Sequence, residues 1–142
     1  MGAFVACSET LRRILINKAR PFIFSTALAP YIAAQTSEAL TIAVEADDRR
    51  RHLDQISGFL RAELRARGFD TSVTDSHIVP VILGSNETAL RVARGLSERG
   101  FGVKAIRPPT VPAGTARLRL SLTSRLTNDH AGALVQALCD VR

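Results

Sequence analysis

Cysteine is scarce in this 142-residue chain: Cys7 and Cys139 are the only two, and they lie near opposite ends. Neither belongs to a CxxC pair or sits near a histidine cluster. That argues against a structural zinc site and for two free thiols in a reducing compartment. Aromatic residues make up 5% of the chain, too few for a platform on which single-stranded bases stack. No apolar run approaches the roughly 20 residues that cross a bilayer, so no membrane is expected. The apolar start, Met1 to Cys7, is short and has no basic residues before it. It does not read as a signal peptide, and the expected location is cytoplasmic. Lysine is nearly missing as well. Lys18 and Lys104 are the only lysines, and arginine supplies almost all the positive charge behind a net charge of +6. The arginines are mixed with Glu and Asp, and the one cluster, Arg49-Arg50-Arg51, follows Asp47-Asp48. A solvated surface is expected, with no nucleic-acid partner. There is no glycine-rich phosphate loop. His52, His77 and His130 have no metal-ligand spacing, and no metal site is expected.

What is present is ordinary for a globular chain, with 46% hydrophobic and 23% charged residues and enough length for a real core. Ala3 to Ala6 is expected as a short buried strand. Ser8 is a candidate N-cap for a helix bearing Leu11, Ile14 and Leu15 on one face. Pro21 interrupts, and Phe22-Ile23-Phe24 reads as a strand or extended segment. Leu28 to Val44 suits a helix, with Pro30 in its first turn. Asp47 is expected to cap a second helix carrying Leu53, Ile56, Leu60 and Leu64 and ending at Gly68.

His77 to Leu83 reads as a buried-type strand, with Pro80 marking an edge or a bulge. Asn86 is expected to cap a helix carrying Leu90, Ala93 and Leu96 that stops at Gly100. Phe101 to Ile106 is a further strand. Arg107-Pro108-Pro109-Thr110-Val111-Pro112 reads as a stiff extended loop. From Thr115 to Thr123, Ala116, Leu118, Leu120 and Leu122 alternate with Thr115, Arg117, Arg119, Ser121 and Thr123, as in a half-buried strand. A last helix is expected from about Asn128, with Leu134, Leu138 and Val141 inward. The order from Ser76, strand-helix-strand-strand-helix, predicts a small, mostly antiparallel sheet with helices on one face.

Three places carry candidate chemistry. Arg117 and Arg119 project from one strand face, where a guanidinium grips a carboxylate or phosphate, or simply faces water. Thr110 is presented by a proline-stiffened loop, as a ligand contact or a turn residue. Ser25-Thr26 precedes a helix, where hydroxyls and free N–H groups suit a phosphate or a plain cap.

The run from Ala105 to Thr123, with Gly2-Ala3-Phe4-Val5-Ala6 and Arg20-Pro21-Phe22-Ile23-Phe24-Ser25-Thr26-Ala27-Leu28, resembles the α-oxoamine synthase family. The similarity runs along essentially the whole chain and corresponds to about the last third of a family member. The resemblance implies an α/β protein, the C-terminal part of the aspartate-aminotransferase-like fold. Residues 1–28 would be a remnant of the large cofactor-binding domain, 29–75 connector helices and 76–142 the small domain. It further implies a homodimer, or pairing with a separate N-terminal half, and pyridoxal 5'-phosphate as cofactor. The reaction would condense an amino acid with an acyl thioester and release carbon dioxide. The Arg-Pro-Pro-Thr-Val-Pro run favours the branch that joins alanine to a pimeloyl thioester on the route to biotin. Arg119 would bind the substrate carboxylate and Thr110 would contact substrate. Ser25 and Thr26 would reach the cofactor phosphate from the neighbouring subunit, and Arg117 would support the motif. In the family, the cofactor-holding lysine lies just before the Gly-Ala-Phe-Val segment. Lys18 and Lys104 are not at that place, so this chain by itself has no catalytic residue and is expected to be inactive. Phe4, Val5, Phe22 and Phe24 are expected to be exposed and poorly held.

Overall fold

The computed structural model describes residues 4–142. Those residues form two compact units, one ending at Ala46 and one running from Asp47 to Arg142.

The first unit is helical. Ser8 accepts a hydrogen bond from Leu11 N–H and opens α1 (Glu9–Lys18), with Glu9 in the first turn and Lys18 in the last, each favoured by the helix dipole. α2 (Arg20–Ile23) follows at once, and α3 (Pro30–Val44) starts with proline at its first position. The expected strand at Ala3 to Ala6 is not formed: residues 4–8 are irregular, and Ala3 lies outside the described residues. The expected extended Phe22–Phe24 is a short helical turn instead. Pro21 sits in its first turn, where the missing N–H costs nothing, and Phe22 and Ile23 N–H both donate to Ala19 C=O. No residue of α1, α2 or α3 is buried. Phe4, Phe22 and Phe24 are 63%, 64% and 81% exposed, and the apolar face of α1 shows Leu11 and Ile14 to solvent. Among the described residues, no helix is long and apolar enough to cross a membrane.

The second unit holds the core. α4 (Asp47–Ala66) spaces Ile56, Leu60 and Leu64 by four residues, and all three are buried. The helix expected as a connector thus contributes core side chains to this unit. It ends at Gly68 (φ +76°): Gly68 N–H reaches Arg65 C=O and Phe69 N–H reaches Leu64 C=O. α5 (Asn86–Glu98) repeats this ending one Arg-Gly-Phe tripeptide later. Gly100 (φ +86°) donates to Ser97 C=O, and Phe101 to Leu96 C=O. Both are left-handed glycine stops of the Schellman type, which satisfy the last carbonyls of a helix. α5 is capped by Ser85 and not by Asn86, since the Ser85 hydroxyl is the group that meets Thr88 N–H. Its buried residues are Ala89, Val92 and Leu96, and Ala93 packs partly buried against the core; of the expected Leu90, Ala93 and Leu96, Leu90 is the one that is exposed.

Three strands lie in the order β1-β3-β2, all antiparallel: β1 (Ile78–Gly84), β2 (Lys104–Ile106) and β3 (Ala116–Ser121). β2 is shorter than expected because Phe101 to Val103 stay outside the ladder. β1 is an edge strand with a register shift between Ile82 and Gly84. Of the edge or bulge expected from Pro80, the edge position is found, while Pro80 itself pairs in regular register with Arg119 and the shift lies beyond it. Ile82 N–H points away from β3 to Asp70 C=O. Pro80, two residues earlier, has its missing donor on that same outer side. α6 (Asn128–Val141) starts in a capping box between Thr127 and His130. Val79, Val81, Ala116, Leu118 and Leu120 are buried on one sheet face, in the core with Leu134, Val135 and Leu138 of α6. The other sheet face carries Arg117 and Arg119.

Candidate functional site

The alternation of β3 decides what its two arginines do. Each follows a buried residue, so both leave the core face, yet their settings differ. Arg117 is half-buried and turns back along its own strand: Nε donates to Thr115 C=O at 3.0 Å and Nη2 to Thr115 Oγ1 at 3.0 Å. Thr115 Oγ1 in turn donates to Pro112 C=O at 2.8 Å. Arg117 is thereby committed to holding the loop that enters β3. Arg119 is exposed, and the structure gives it no hydrogen bond or ion pair among the described residues. Its guanidinium is available to a ligand.

The loop between β2 and β3 is not the extended segment expected from its prolines. It is two consecutive turns, closed by Thr110 N–H on Arg107 C=O at 3.0 Å and by Thr115 N–H on Pro112 C=O at 3.2 Å. The Pro108–Pro109 peptide bond inside the first turn is cis. Folding the loop back puts Thr110 at the end of a tight turn, exposed, four residues beyond the strand that pairs with Arg119. The Arg117-Thr115-Pro112 chain of hydrogen bonds braces that same loop. Thr110 lies in the turn that leaves β2 next to Arg117, whereas Arg119 lies two residues further along β3, opposite Lys104.

Ser25 and Thr26 lie in the first unit, exposed, just past the C-terminal end of α2. The expected phosphate-binding helix start is not at these residues, since α3 begins only at Pro30. The Ser25 hydroxyl donates to Pro21 C=O, so its proton is in use. The hydroxyl of Thr26 has no partner among the described residues. The donor chemistry suits a phosphate, with no carboxylate in the Phe22–Ala29 stretch to oppose it, once Ser25 rotates away from Pro21. His77 is exposed on the approach to β1, His52 Nε2 lies 2.8 Å from Leu126 C=O, and His130 caps α6. Among the described residues, no three His, Cys, Asp or Glu side chains gather as a metal site.

Residues 1–138 match the model of the aminotransferase class I and II family. The chain belongs to that family. Its sequence is 45% identical over 140 residues to a putative 8-amino-7-oxononanoate synthase of Haemophilus influenzae strain 86-028NP, covering 97% of this chain and 36% of the relative. It is 43% identical over 139 residues to the 8-amino-7-oxononanoate synthase of Methylococcus capsulatus, covering 98% of this chain and 36% of that protein. This aminotransferase-family chain thus spans little more than a third of the length of these curated relatives. Among solved structures, it superposes on serine palmitoyltransferase of Sphingomonas wittichii with a TM-score of 0.84 at 29% identity, covering 94% of this chain and 34% of the other. The 8-amino-7-oxononanoate synthase of Francisella tularensis matches with a TM-score of 0.80 at 28% identity, covering 94% and 39%. The expected α/β fold, the C-terminal part of an aminotransferase-like architecture with a small antiparallel sheet, is the fold found.

The strand pattern alone did not separate the two arginines; only the family resemblance gave them different roles. The alternation of β3 put both on one face. The division of labour between them depends on Thr115, two residues before Arg117, which the strand pattern lists only as another outward residue.

Proposed function

We propose that this chain is the C-terminal portion of a pyridoxal-phosphate-dependent acyltransferase. It would condense L-alanine with pimeloyl-CoA, or the pimeloyl group on a carrier protein, and lose carbon dioxide to give 8-amino-7-oxononanoate for biotin. The observation that carries this reading is Arg119, an exposed and unengaged cation whose backbone is held in the central strand β3. A charge held on a strand orients a carboxylate relative to the bond that breaks, and misplacement by about 1 Å costs about 100-fold in rate. When bound, the cofactor supplies the electron sink for the carbanion. Arg119 binds the alanine carboxylate by charge-assisted hydrogen bonding from its guanidinium. Thr110 contacts the substrate from its turn. Ser25 and Thr26 hold the cofactor phosphate from the neighbouring subunit of a homodimer, in the cytoplasm. Neither Lys18 nor Lys104 lies where the family keeps its cofactor-holding lysine, so these 142 residues alone are inactive.

The high structural likeness to serine palmitoyltransferase supports a second reading, the sphingoid-base branch of the same chemistry, with serine and a long acyl thioester as substrates. A chimera separates the two. This chain replaces the matching last third of the Haemophilus relative and is assayed with alanine and pimeloyl-CoA, then with serine and palmitoyl-CoA. The first pair is expected to react, and Arg119→Gln is expected to lower kcat/KM about 100-fold. Turnover of the second pair alone would replace the first reading by the second. For the isolated chain, borohydride trapping with pyridoxal phosphate and peptide mass spectrometry is expected to show no stoichiometric lysine adduct. An adduct at Lys18 or Lys104 would overturn the proposed inactivity.

A further inference from the structure

The register of β2 against β3 sets Lys104 directly opposite Arg119. Directly opposed residues of an antiparallel pair share a face, with Cβ atoms about 5 Å apart, and like charges placed so destabilise the pair. Both side chains are exposed, and among the described residues neither has a hydrogen bond or an ion pair. The rest of that sheet face does not offset them. β1 sets Ile78, Pro80 and Ile82 against Ser121, Arg119 and Arg117, and Ile106 of β2 lies against Arg117. No carboxylate is among these residues, and Arg117 is already spent on Thr115. The two remaining cations differ in kind: a planar fork of donors and a compact ammonium on a flexible stem.

We infer that Lys104 and Arg119 form a two-point clamp for one compact oxyanion, each cation taking one of its oxygens, with Lys104 a second binding residue beside Arg119. This rests on the reading of Arg119 as the carboxylate-binding group and assigns it a partner. The bound anion removes the repulsion across the strand pair. Lysine, unlike arginine, places a point charge that can follow the oxyanion as its geometry changes.

The test is an amide NMR titration of the 142-residue chain with sodium acetate against sodium chloride at constant ionic strength, with sodium phosphate as a second arm. Acetate is expected to move the amides of residues 104–106 and 117–121 more than chloride does. Lys104→Gln is expected to weaken acetate binding about tenfold and Arg119→Gln at least as much, with Lys104→Arg restoring most of the loss. Both side chains are exposed, and unchanged amide positions elsewhere will verify that the variants fold. Acetate binding unaltered in Lys104→Gln but weakened in Arg119→Gln would remove Lys104 from the site and leave the reading of Arg119 intact. A response to phosphate alone, lost in both variants, would keep the clamp and overturn the carboxylate reading. Acetate and phosphate behaving like chloride would overturn both.

Discussion

Arg117 and Arg119 have the same side chain on the same strand face, and they are expected to fail differently when removed. Arg117→Ala breaks two hydrogen bonds to Thr115 and frees the loop, and should cost about 1 kcal/mol. Arg119→Ala removes an exposed group with no protein partner and should stay within about 0.5 kcal/mol. Urea unfolding of the two variants checks the difference. Equal losses would mean that Arg119 has a structural partner. Glu9 gives a second test at this scale. The guanidinium of Arg12, then that of Arg13, hold its carboxyl below the usual carboxylate range. A lowered folded pKa means stabilisation that is fully present above the unfolded value and lost as pH falls through the folded one. The α1 amides are therefore expected to lose protection only below the ordinary glutamate range. Glu9→Gln should flatten that dependence, as followed by NMR between pH 6 and about pH 2.5. Such pairings between neighbours on one helix can be read from the i, i+3 and i, i+4 spacing alone. The facing of Lys104 and Arg119 cannot, because fifteen positions and a double turn separate them, and only the strand register joins them.

Helices were legible where their end signals are local. Ser8, Pro30, Gly68 and Gly100 mark boundaries that the fold keeps, because a cap or a left-handed stop is decided within five residues. Phe22 to Phe24 was not legible. Three apolar residues in a row look like a strand, and a helix of four residues is too short to show a 3.6-residue period. Leu90 of α5 was misplaced, since Leu90 and Ala89 both suit an inward stripe and packing chose alanine, while Ala93 and Leu96 face inward as expected. The contact between α5 and α6 makes a firmer prediction. A Cβ on Gly95 would stand 2.9 Å from Val141 Cγ1. Alanine gains about 1 kcal/mol over glycine in a helix interior, whereas overpacking costs about 1–3 kcal/mol. Gly95→Ala is therefore expected to destabilise by about 1 kcal/mol, and adding Val141→Ala should recover the helix gain. Thermal unfolding of the single and double variants measures both signs, and a stabilised single variant would show that Val141 moves aside freely.

At the scale of the molecule, burial is unequally shared. The unit from Asp47 onward contains every residue of the hydrophobic core, whereas the helices before it bury none. A truncated chain, residues 47–142, is expected to fold cooperatively with nearly the same midpoint as the whole. Amides of residues 9–44 should exchange far faster than those of β1, β3 and α6. Equal protection in both units, measured by hydrogen exchange at low protein concentration, would contradict this. The imbalance was foreshadowed by Phe4, Val5, Phe22 and Phe24, which had no evident partners in the sequence and are exposed in the fold.

The proline in β1 reaches beyond the local ladder. Of the two rims of the sheet, one is interrupted by a residue that offers no N–H and is partly covered where Asp70 accepts from Ile82; the other is only three residues long and begins with a lysine. A second polypeptide therefore finds no length of free backbone on which to add a strand. When this chain crowds together, its exposed phenylalanines and aliphatics can still adhere. The resulting material should dissolve in mild denaturant and leave thioflavin dark, as clumping through side chains does and fibril growth does not.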